Sequence, residues 1–244
     1  MKSVLILGAT SDVARELAIL FAKAKTHNII LSARNTDQIL PLKTDLEIRF
    51  DSKVSLLQLD AAAFNDHGPK LQPFLNDIDV AICCWGYLGD QKLAEANWQE
   101  TERTITANYT GCVSALNIIA NAMEKTGTGC IIGVSSVAGL RGRQSNYTYG
   151  SAKAAFSAYL SGLRNRLFKS GVHVMTVIPG FMYTKMTEHL NLPAPVTVTA
   201  QKAAAIIYKA YGKKKNIIYV SFLWRYIMLI IRSIPEFIFK KLSL

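Results

Sequence analysis

The sequence predicts an α/β fold of the Rossmann type, in which a doubly wound parallel sheet of about seven strands carries helices on both faces. Short apolar segments of strand length alternate along the chain with longer segments of helical periodicity, and that order produces a parallel sheet. The apolar segments are almost uninterrupted, as expected for strands that are covered on both faces. Small and polar residues follow directly after them, at the edge where ligands bind in such sheets.

The predicted strands are residues 4–7, 28–32, 54–59, 80–84, 130–134, 172–177 and 216–220. Apolar residues recur at helical spacing between them, and helices are predicted over residues 14–23, 105–122 and 149–168. Because the two kinds of segment alternate to the seventh strand, one sheet accounts for most of the chain.

The composition indicates one large domain with a C-terminal addition. The chain has 244 residues, of which 50% are hydrophobic and 18% charged, so it can bury a large core. We assign residues 1–221 to a dinucleotide-binding and catalytic domain and residues 222–244 to an apolar, basic helical tail. The four cysteines form no C-x-x-C pair, and no signal-peptide pattern precedes the first strand. These features predict a cytoplasmic protein, or one held at the inner face of a membrane.

The net charge of +11 limits the partners that the protein is expected to have. Nucleic-acid binding is disfavoured because the sequence shows no zinc-finger spacing and no interleaving of aromatic and basic residues. Much of the excess charge lies late in the chain beside apolar residues. This suits an anionic membrane surface or an acidic, phosphorylated substrate, although a solvated basic surface is commoner. The histidines lack metal-ligand spacing, so no metal site is predicted.

The segment from Gly8 to Ala14 follows the first strand and opens the first helix, where a Rossmann fold binds pyrophosphate. Gly8 permits a sharp turn, and the small residues after it let backbone N–H groups approach the phosphates. Asp12 and Ala14 stand where glycine is commoner, and the Asp12 side chain is expected to point away or to cap the helix. The predicted cofactor contacts here are Gly8, Thr10, Ser11, Asp12 and Val13.

Arg34 follows the second strand, where an NAD enzyme usually carries an acidic residue for the ribose 2′-hydroxyl. A guanidinium suits a 2′-phosphate and the acid is missing, so NADP(H) is favoured over NAD(H) as the cofactor. Asp60 and Ala61, after the third strand, are placed to meet the adenine. Gly86, after the fourth strand, leaves room for the cofactor.

Tyr149 and Lys153 lie four residues apart on a predicted helix and therefore share one face. A neighbouring ammonium stabilises a phenolate, so this tyrosine can protonate an alkoxide near neutral pH or take the proton in the reverse direction. Lys153 can also hold the nicotinamide ribose hydroxyls. Ser136, after the fifth strand, can hydrogen-bond the substrate oxygen. The pattern predicts hydride transfer between a nicotinamide dinucleotide and a carbonyl or alcohol.

In their order and intervals, these residues resemble the short-chain dehydrogenase/reductase family over nearly the whole chain. The resemblance implies that Asn108, in the stretch Ala-Asn-Tyr-Thr-Gly, joins the catalytic set by supporting a proton-relay water. It also implies that the loop carrying Pro179, Gly180 and Thr184 contacts the nicotinamide. A homodimer or tetramer formed through the helix of Tyr149 is a further implication.

A narrower resemblance is to the decaprenylphosphoryl-2-keto-pentose reductases, which reduce a keto group on a sugar linked to a polyprenyl phosphate. It rests on residues 84–90, 108–110 and 146–151 and on the tail at residues 224–228 and 234–242. It implies a lipid-linked keto substrate with Tyr149 as the general acid. Two alternatives stay open: a generic short-chain carbonyl or 3-oxoacyl reductase, and a non-catalytic dinucleotide-binding regulator.

The tail follows a basic triplet at residues 213–215 and an apolar run at residues 217–231, which Arg225 interrupts. The run is shorter than the roughly 20 residues of a membrane-spanning helix, and a central arginine is costly there, so no span is predicted. An amphipathic helix pair would lie on a membrane surface, cover the substrate pocket or form a subunit interface. Lys185 and His189 are further candidates for substrate contact.

Overall fold

The computed structural model describes residues 2–188 and 190–242 and confirms the doubly wound α/β fold. Its first six strands are β1 (Ser3–Leu7), β2 (Asn28–Ala33), β3 (Val54–Gln58), β4 (Ile78–Cys83), β5 (Cys130–Val134) and β6 (His173–Ile178). A separate short pair follows, β7 (Met182–Tyr183) and β8 (Val198–Thr199), and then β9 (Ile217–Tyr219). The main sheet is parallel, in the spatial order β3-β2-β1-β4-β5-β6-β9.

Helices cover both faces of this sheet. In chain order they are α1 (Asp12–Ala24), α2 (Leu40–Phe50), α3 (Phe64–Leu71), α4 (Gln91–Ala96), α5 (Trp98–Ile105), α6 (Gly111–Thr126), α7 (Tyr147–Leu167), α8 (Ala200–Gly212), α9 (Phe222–Ser233) and α10 (Glu236–Phe239). One core joins the sheet to α1, α2 and α8, and a second joins it to α3, α6 and α7. Because successive side chains of a strand point to opposite faces, Val4 and Ile6 lie in the first core and Leu5 and Leu7 in the second.

One predicted helix differs from the observed structure. Residues 105–122 are not a single helix, because α5 ends at Ile105, a π-helical turn spans Thr106–Thr110, and α6 begins at Gly111. Gly111 packs closely on the loop after β3: an added Cβ would lie 2.4 Å from the Ala61 carbonyl oxygen. The apolar periodicity runs through the turn, so the pattern could not reveal it. Such turns are frequent at functional sites, and Asn108 lies in this one.

The tail forms two helices, α9 and α10, and the inner face of α9 packs on the main domain. Trp224 and Met228 are buried in a small cluster with Val137 and Ile178. The Trp224 ring fills the space beside Gly180, where an added Cβ would lie 1.9 Å from the indole Nε1. Trp224 Nε1 also donates to the Val196 carbonyl at 2.9 Å. No helix described in residues 2–188 and 190–242 is long and apolar enough to cross a membrane.

Arg141 fixes the far end of α9 to the main domain. Its Nη1 donates to the carbonyls of Ile231 at 2.7 Å and Ile234 at 2.6 Å, at the C-terminal end of α9. Its Nη2 pairs with Glu236 at 3.0 Å, and its guanidinium lies 3.7 Å from the centre of the Phe239 ring. One side chain therefore connects both tail helices to the loop that precedes α7.

We predict that Gly180→Ala destabilises the protein, because the new methyl group and the Trp224 ring cannot occupy the same space. Overpacking of this kind costs about 1–3 kcal/mol, measurable as a lower urea midpoint. Gly162→Ala is the matched control, since nothing lies within 4 Å of its Cβ position in α7 and the change there should stabilise the helix. If Gly180→Ala unfolds at the same urea concentration as the wild type, the close packing of Trp224 on Gly180 is wrong.

Candidate active site

A cavity of about 770 Å³ lies at the carboxyl ends of the first six strands. It is lined by all but one of the residues that the sequence predicts for the cofactor: Gly8, Thr10, Ser11, Asp12, Val13, Arg34, Asp60, Ala61, Gly86, Tyr149, Lys153, Pro179 and Thr184. The exception is Gly180, which faces the tail and lines a neighbouring cavity. The parallel sheet thus brings residues that are far apart in sequence to one edge.

The glycine loop turns sharply at Gly8, directly after β1. Gly8 has φ +83°, which L side chains rarely adopt, and its Cα faces the backbone of Cys84 and Trp85. The Asp12 side chain does not cap α1; its Oδ2 accepts the Lys185 backbone N–H at 2.8 Å. The Asp12 carboxylate therefore connects the segment after β7 to the glycine loop.

Arg34 is exposed at the end of β2 and lines the cavity without an ion-pair partner in the described part of the chain. The preceding residue is Ala33, so no carboxylate stands where NAD enzymes bind the ribose hydroxyls. Gln38, which sequence reasoning missed, lines the same region. An unpaired guanidinium here leaves five N–H donors free for an anionic group.

Lys153 lies at the centre of the site and is 3% exposed. Its Nζ donates to the Val134 carbonyl at 3.0 Å and to the Trp85 carbonyl at 3.4 Å, at the ends of β5 and β4. The Nζ lies 5.8 Å from the centre of the Tyr149 ring. Gly86 lies beside it, since an added Cβ there would lie 3.5 Å from Nζ and 3.2 Å from Asn108 Oδ1.

Asn108 is fully buried and lies outside the residues that line the cavity. Its Nδ2 donates to the carbonyls of Tyr87 at 2.6 Å and Thr104 at 2.8 Å. Its Oδ1 accepts the Tyr87 N–H at 3.3 Å and lies 3.2 Å from the Cβ position of Gly86. The side chain thus holds the loop after β4 next to Lys153, and its proton-relay role stays a prediction.

A second cavity, of about 520 Å³, adjoins the first. Tyr149 lines both cavities, as do Pro179, Met182, Thr184 and Met186. Ser136 lines the second cavity, and its Oγ accepts the Ala138 N–H at 3.1 Å, which leaves its hydroxyl hydrogen free. The tyrosine hydroxyl and the serine therefore border a space that is continuous with the dinucleotide-sized cavity.

Sequence reasoning missed several residues of this second cavity, above all Gln91, Arg143 and Asn146. They lie on irregular segments or at a helix end, where no hydrophobic period or motif marks them. Lys185 lines the first cavity, and its contact with substrate stays a prediction. His189 lies outside the described residues.

In the described part of the chain, no group of three or more His, Cys, Asp or Glu residues could hold a metal ion. The described cysteines are free, and burial raises the pKa of Cys84, which lines the first cavity, to about 12. A protonated thiol is a poor nucleophile, so Cys84 is not expected to be reactive, and the roles of Tyr149 and Lys153 stay predictions.

A family model described as short chain dehydrogenase matches residues 2–194. The chain belongs to the short-chain dehydrogenases. An uncharacterised oxidoreductase of Mycobacterium tuberculosis is 33% identical to this short-chain dehydrogenase over 242 residues, which are 98% of this chain and 96% of the relative. The 3-oxoacyl-[acyl-carrier-protein] reductase of Chlamydia muridarum is 26% identical over 193 residues, covering 78% of this chain and 77% of its own.

A solved structure shares the fold of this short-chain dehydrogenase. The short-chain dehydrogenase of Sphingobium yanoikuyae, solved in complex with NADPH, superposes with a TM-score of 0.84 at 22% identity and covers 97% of each chain. The family resemblance seen in the sequence is confirmed, and the protein is an NAD(P)-dependent oxidoreductase. The narrower likeness to reductases of lipid-linked keto sugars stays a prediction.

Proposed function

We propose that the protein uses NADP(H) to reduce a keto group to an alcohol, with Tyr149 as the general acid. The observation that carries this proposal is the position of Tyr149 at the junction of the two cavities, with the Lys153 ammonium beneath its ring. When bound, the nicotinamide supplies the hydride that reaches the carbonyl carbon. Gly8 and Gly86, which bring no side chain into the first cavity, and the unpaired Arg34 fit a phosphorylated dinucleotide there.

In this proposal each of four side chains has its own role in the reduction. Ser136 donates its free hydroxyl hydrogen to the substrate oxygen and orients the carbonyl. As negative charge develops on that oxygen, Tyr149 transfers its proton to it, and the nearby ammonium of Lys153 stabilises the phenolate that remains. Asn108 acts as a positioning residue, because it holds the backbone that borders Lys153. The intact set argues against a non-catalytic regulator.

A lipid-phosphate-linked keto sugar is the substrate that the tail favours over a carrier-protein-bound 3-oxoacyl group. The outer face of α9 and α10 exposes Phe222, Leu229, Ile230 and Phe237 by 63–67% each. Exposed cations stand among them, namely Arg225, Arg232, Lys240 and Lys241. An apolar face bordered by positive charge suits an anionic lipid surface, whereas a soluble carrier protein requires none. Assembly through α7 stays a prediction.

We expect Tyr149→Phe to lower the rate of keto reduction by 10²-fold or more, because the variant lacks the proton donor. NADPH binding, followed by quenching of tryptophan fluorescence, should change little, since the ring remains in place. The rate is measured as NADPH oxidation with a panel of ketones and 3-oxo esters. Tyr147→Phe is the matched control, because Tyr147 is 47% exposed and lines neither cavity. Equal rates in the two variants would contradict the role of Tyr149.

We expect Arg34→Ala to weaken NADPH binding by about ten-fold or more, the loss typical of a hydrogen bond to a charged group. NADH binding should stay the same, because NADH lacks the 2′-phosphate that the guanidinium contacts. Fluorescence titration of both cofactors on both proteins measures the ratio. A wild type that binds NADH as tightly as NADPH would show that the cofactor preference is wrong.

We expect the wild type to sediment with phosphatidylglycerol vesicles and to stay in solution with phosphatidylcholine vesicles. The double variant Leu229→Gln, Ile230→Gln should lose most of this binding, since burial of each side chain contributes about 1.5–3 kcal/mol. Ile48→Gln is the control, because Ile48 is 78% exposed on α2, away from the tail. Failure of the wild type to bind either vesicle would remove the support that the tail gives to a lipid-linked substrate.

A further inference from the structure

Three buried polar atoms in the described chain lack a hydrogen-bond partner and belong to residues of one cavity. They are Gln91 Nε2, Arg143 Nε and Asn146 Oδ1, and all three residues line the second cavity with Tyr149 and Ser136. A buried polar group without a partner costs free energy, so proteins seldom keep several together without a ligand to satisfy them. All three residues share this cavity with Tyr149 and Ser136, which indicates a site for the polar part of a substrate.

Arg143 gives this site its charge. It is the only cationic residue among the described residues that line the second cavity, and Asp90 is the only acidic one. Asp90 Oδ1 accepts the Leu93 N–H at 2.9 Å and so caps α4; no ion pair joins Asp90 to Arg143. Burial lowers the pKa of Arg143, but the guanidinium stays charged at any physiological pH. No described carboxylate pairs with Arg143, so its charge is available to an anion in this cavity.

Arg141, two residues earlier, differs from Arg143 in that its guanidinium has partners. Arg141 satisfies its guanidinium with the tail carbonyls and Glu236. Arg143 lies on the same short loop and makes no such contact, although its Nε is buried. The buried Nε of Arg143 thus lacks the kind of partner that the Arg141 guanidinium has, and a ligand in the cavity can supply one.

Gln91 adds a second donor whose position is fixed. Its Oε1 accepts the Thr148 backbone N–H at 2.9 Å, in the first turn of the helix that carries Tyr149. That bond orients the amide and leaves Nε2 as a free donor. A guanidinium and an amide N–H₂ lining one cavity form a donor set suited to the oxygens of an anion.

We propose that the second cavity binds an oxyanion group of the keto substrate, a carboxylate or a phosphate, through Arg143 with Gln91 as the neighbouring donor. The inference rests on the proposed function, in which the second cavity receives the keto group at Tyr149. It makes the enzyme selective for anionic keto compounds over neutral ones, because a neutral substrate leaves the guanidinium without a partner. Asn146 Oδ1 supplies an acceptor for a substrate hydroxyl in the same cavity.

Anion binding is tested first on the complex with saturating NADPH, so that the dinucleotide cavity is filled. Inorganic phosphate and acetoacetate are titrated at constant ionic strength, and their dissociation constants are taken from the rise in melting temperature. We expect saturable binding to the wild type, about ten-fold or more weaker binding to Arg143→Gln, and an intermediate value for Arg143→Lys. Arg49→Gln is the control, because Arg49 is exposed on α2 and pairs only with Asp45 and the Phe50 ring.

Each result decides the question. Equal binding to the wild type and to Arg143→Gln, or no saturable binding to the wild type, overturns the proposal. If phosphate binds more tightly, the substrate carries a phosphate group; if acetoacetate does, the substrate is a keto acid.

A second measurement compares acetoacetate with its neutral ethyl ester as substrates for NADPH oxidation. The ratio of their kcat/KM values should fall about ten-fold or more in Arg143→Gln, while the ester alone changes little. If neither compound nor any other ketone is reduced, the proposed function fails while the anion titration still stands. If the ester is reduced equally well by both proteins and the ratio does not change, the function stands and the role of Arg143 is overturned.

Discussion

The site depends on one buried ammonium group. Lys153 is held by carbonyls at the ends of two neighbouring strands, β4 and β5, and a buried ammonium requires such partners. Those two bonds fix helix α7 against the carboxyl edge of the sheet. Because Tyr149 is one helical turn earlier on α7, they also fix the tyrosine between the two cavities. Asn108 and Gly86 both belong to the surroundings of this ammonium: Asn108 holds the backbone next to it, and Gly86 places no side chain beside it.

The sequence was sufficient for the features that follow from local pattern. The hydrophobic periodicity and the order of the segments predicted the seven strands of the main sheet. Because a parallel sheet brings the residues after its strands to one edge, Gly8, Arg34 and Gly86 could be placed at one cavity. The spacing of Tyr149 and Lys153 needed only the geometry of a helix. In each case one element, or the rule that joins strands of one sheet, determines the position.

Features that depend on contacts between distant segments could not be predicted. Asp12 was expected to avoid the phosphates, but its partner is the Lys185 amide, which no local pattern identifies. Gly180 was assigned to the cofactor, yet its missing side chain accommodates Trp224 from the tail, 44 positions later. Arg143, on the loop before α7, and Gln91, at the start of α4, come to one cavity only in the folded protein. The residues of the second cavity are therefore harder to predict from the sequence than those of the first cavity.

The packing of Trp224 beside Gly180 has a consequence for the order in which the protein matures. A chain is made from its N-terminus, so the strands that surround the dinucleotide cavity are synthesised well before α9. The loop after β6 gains its buried indole neighbour only when the last helices have left the ribosome. A nascent chain can thus form the edge that carries Gly8 and Arg34 early, while the loop of Gly180, which borders the second cavity, reaches its final packing last.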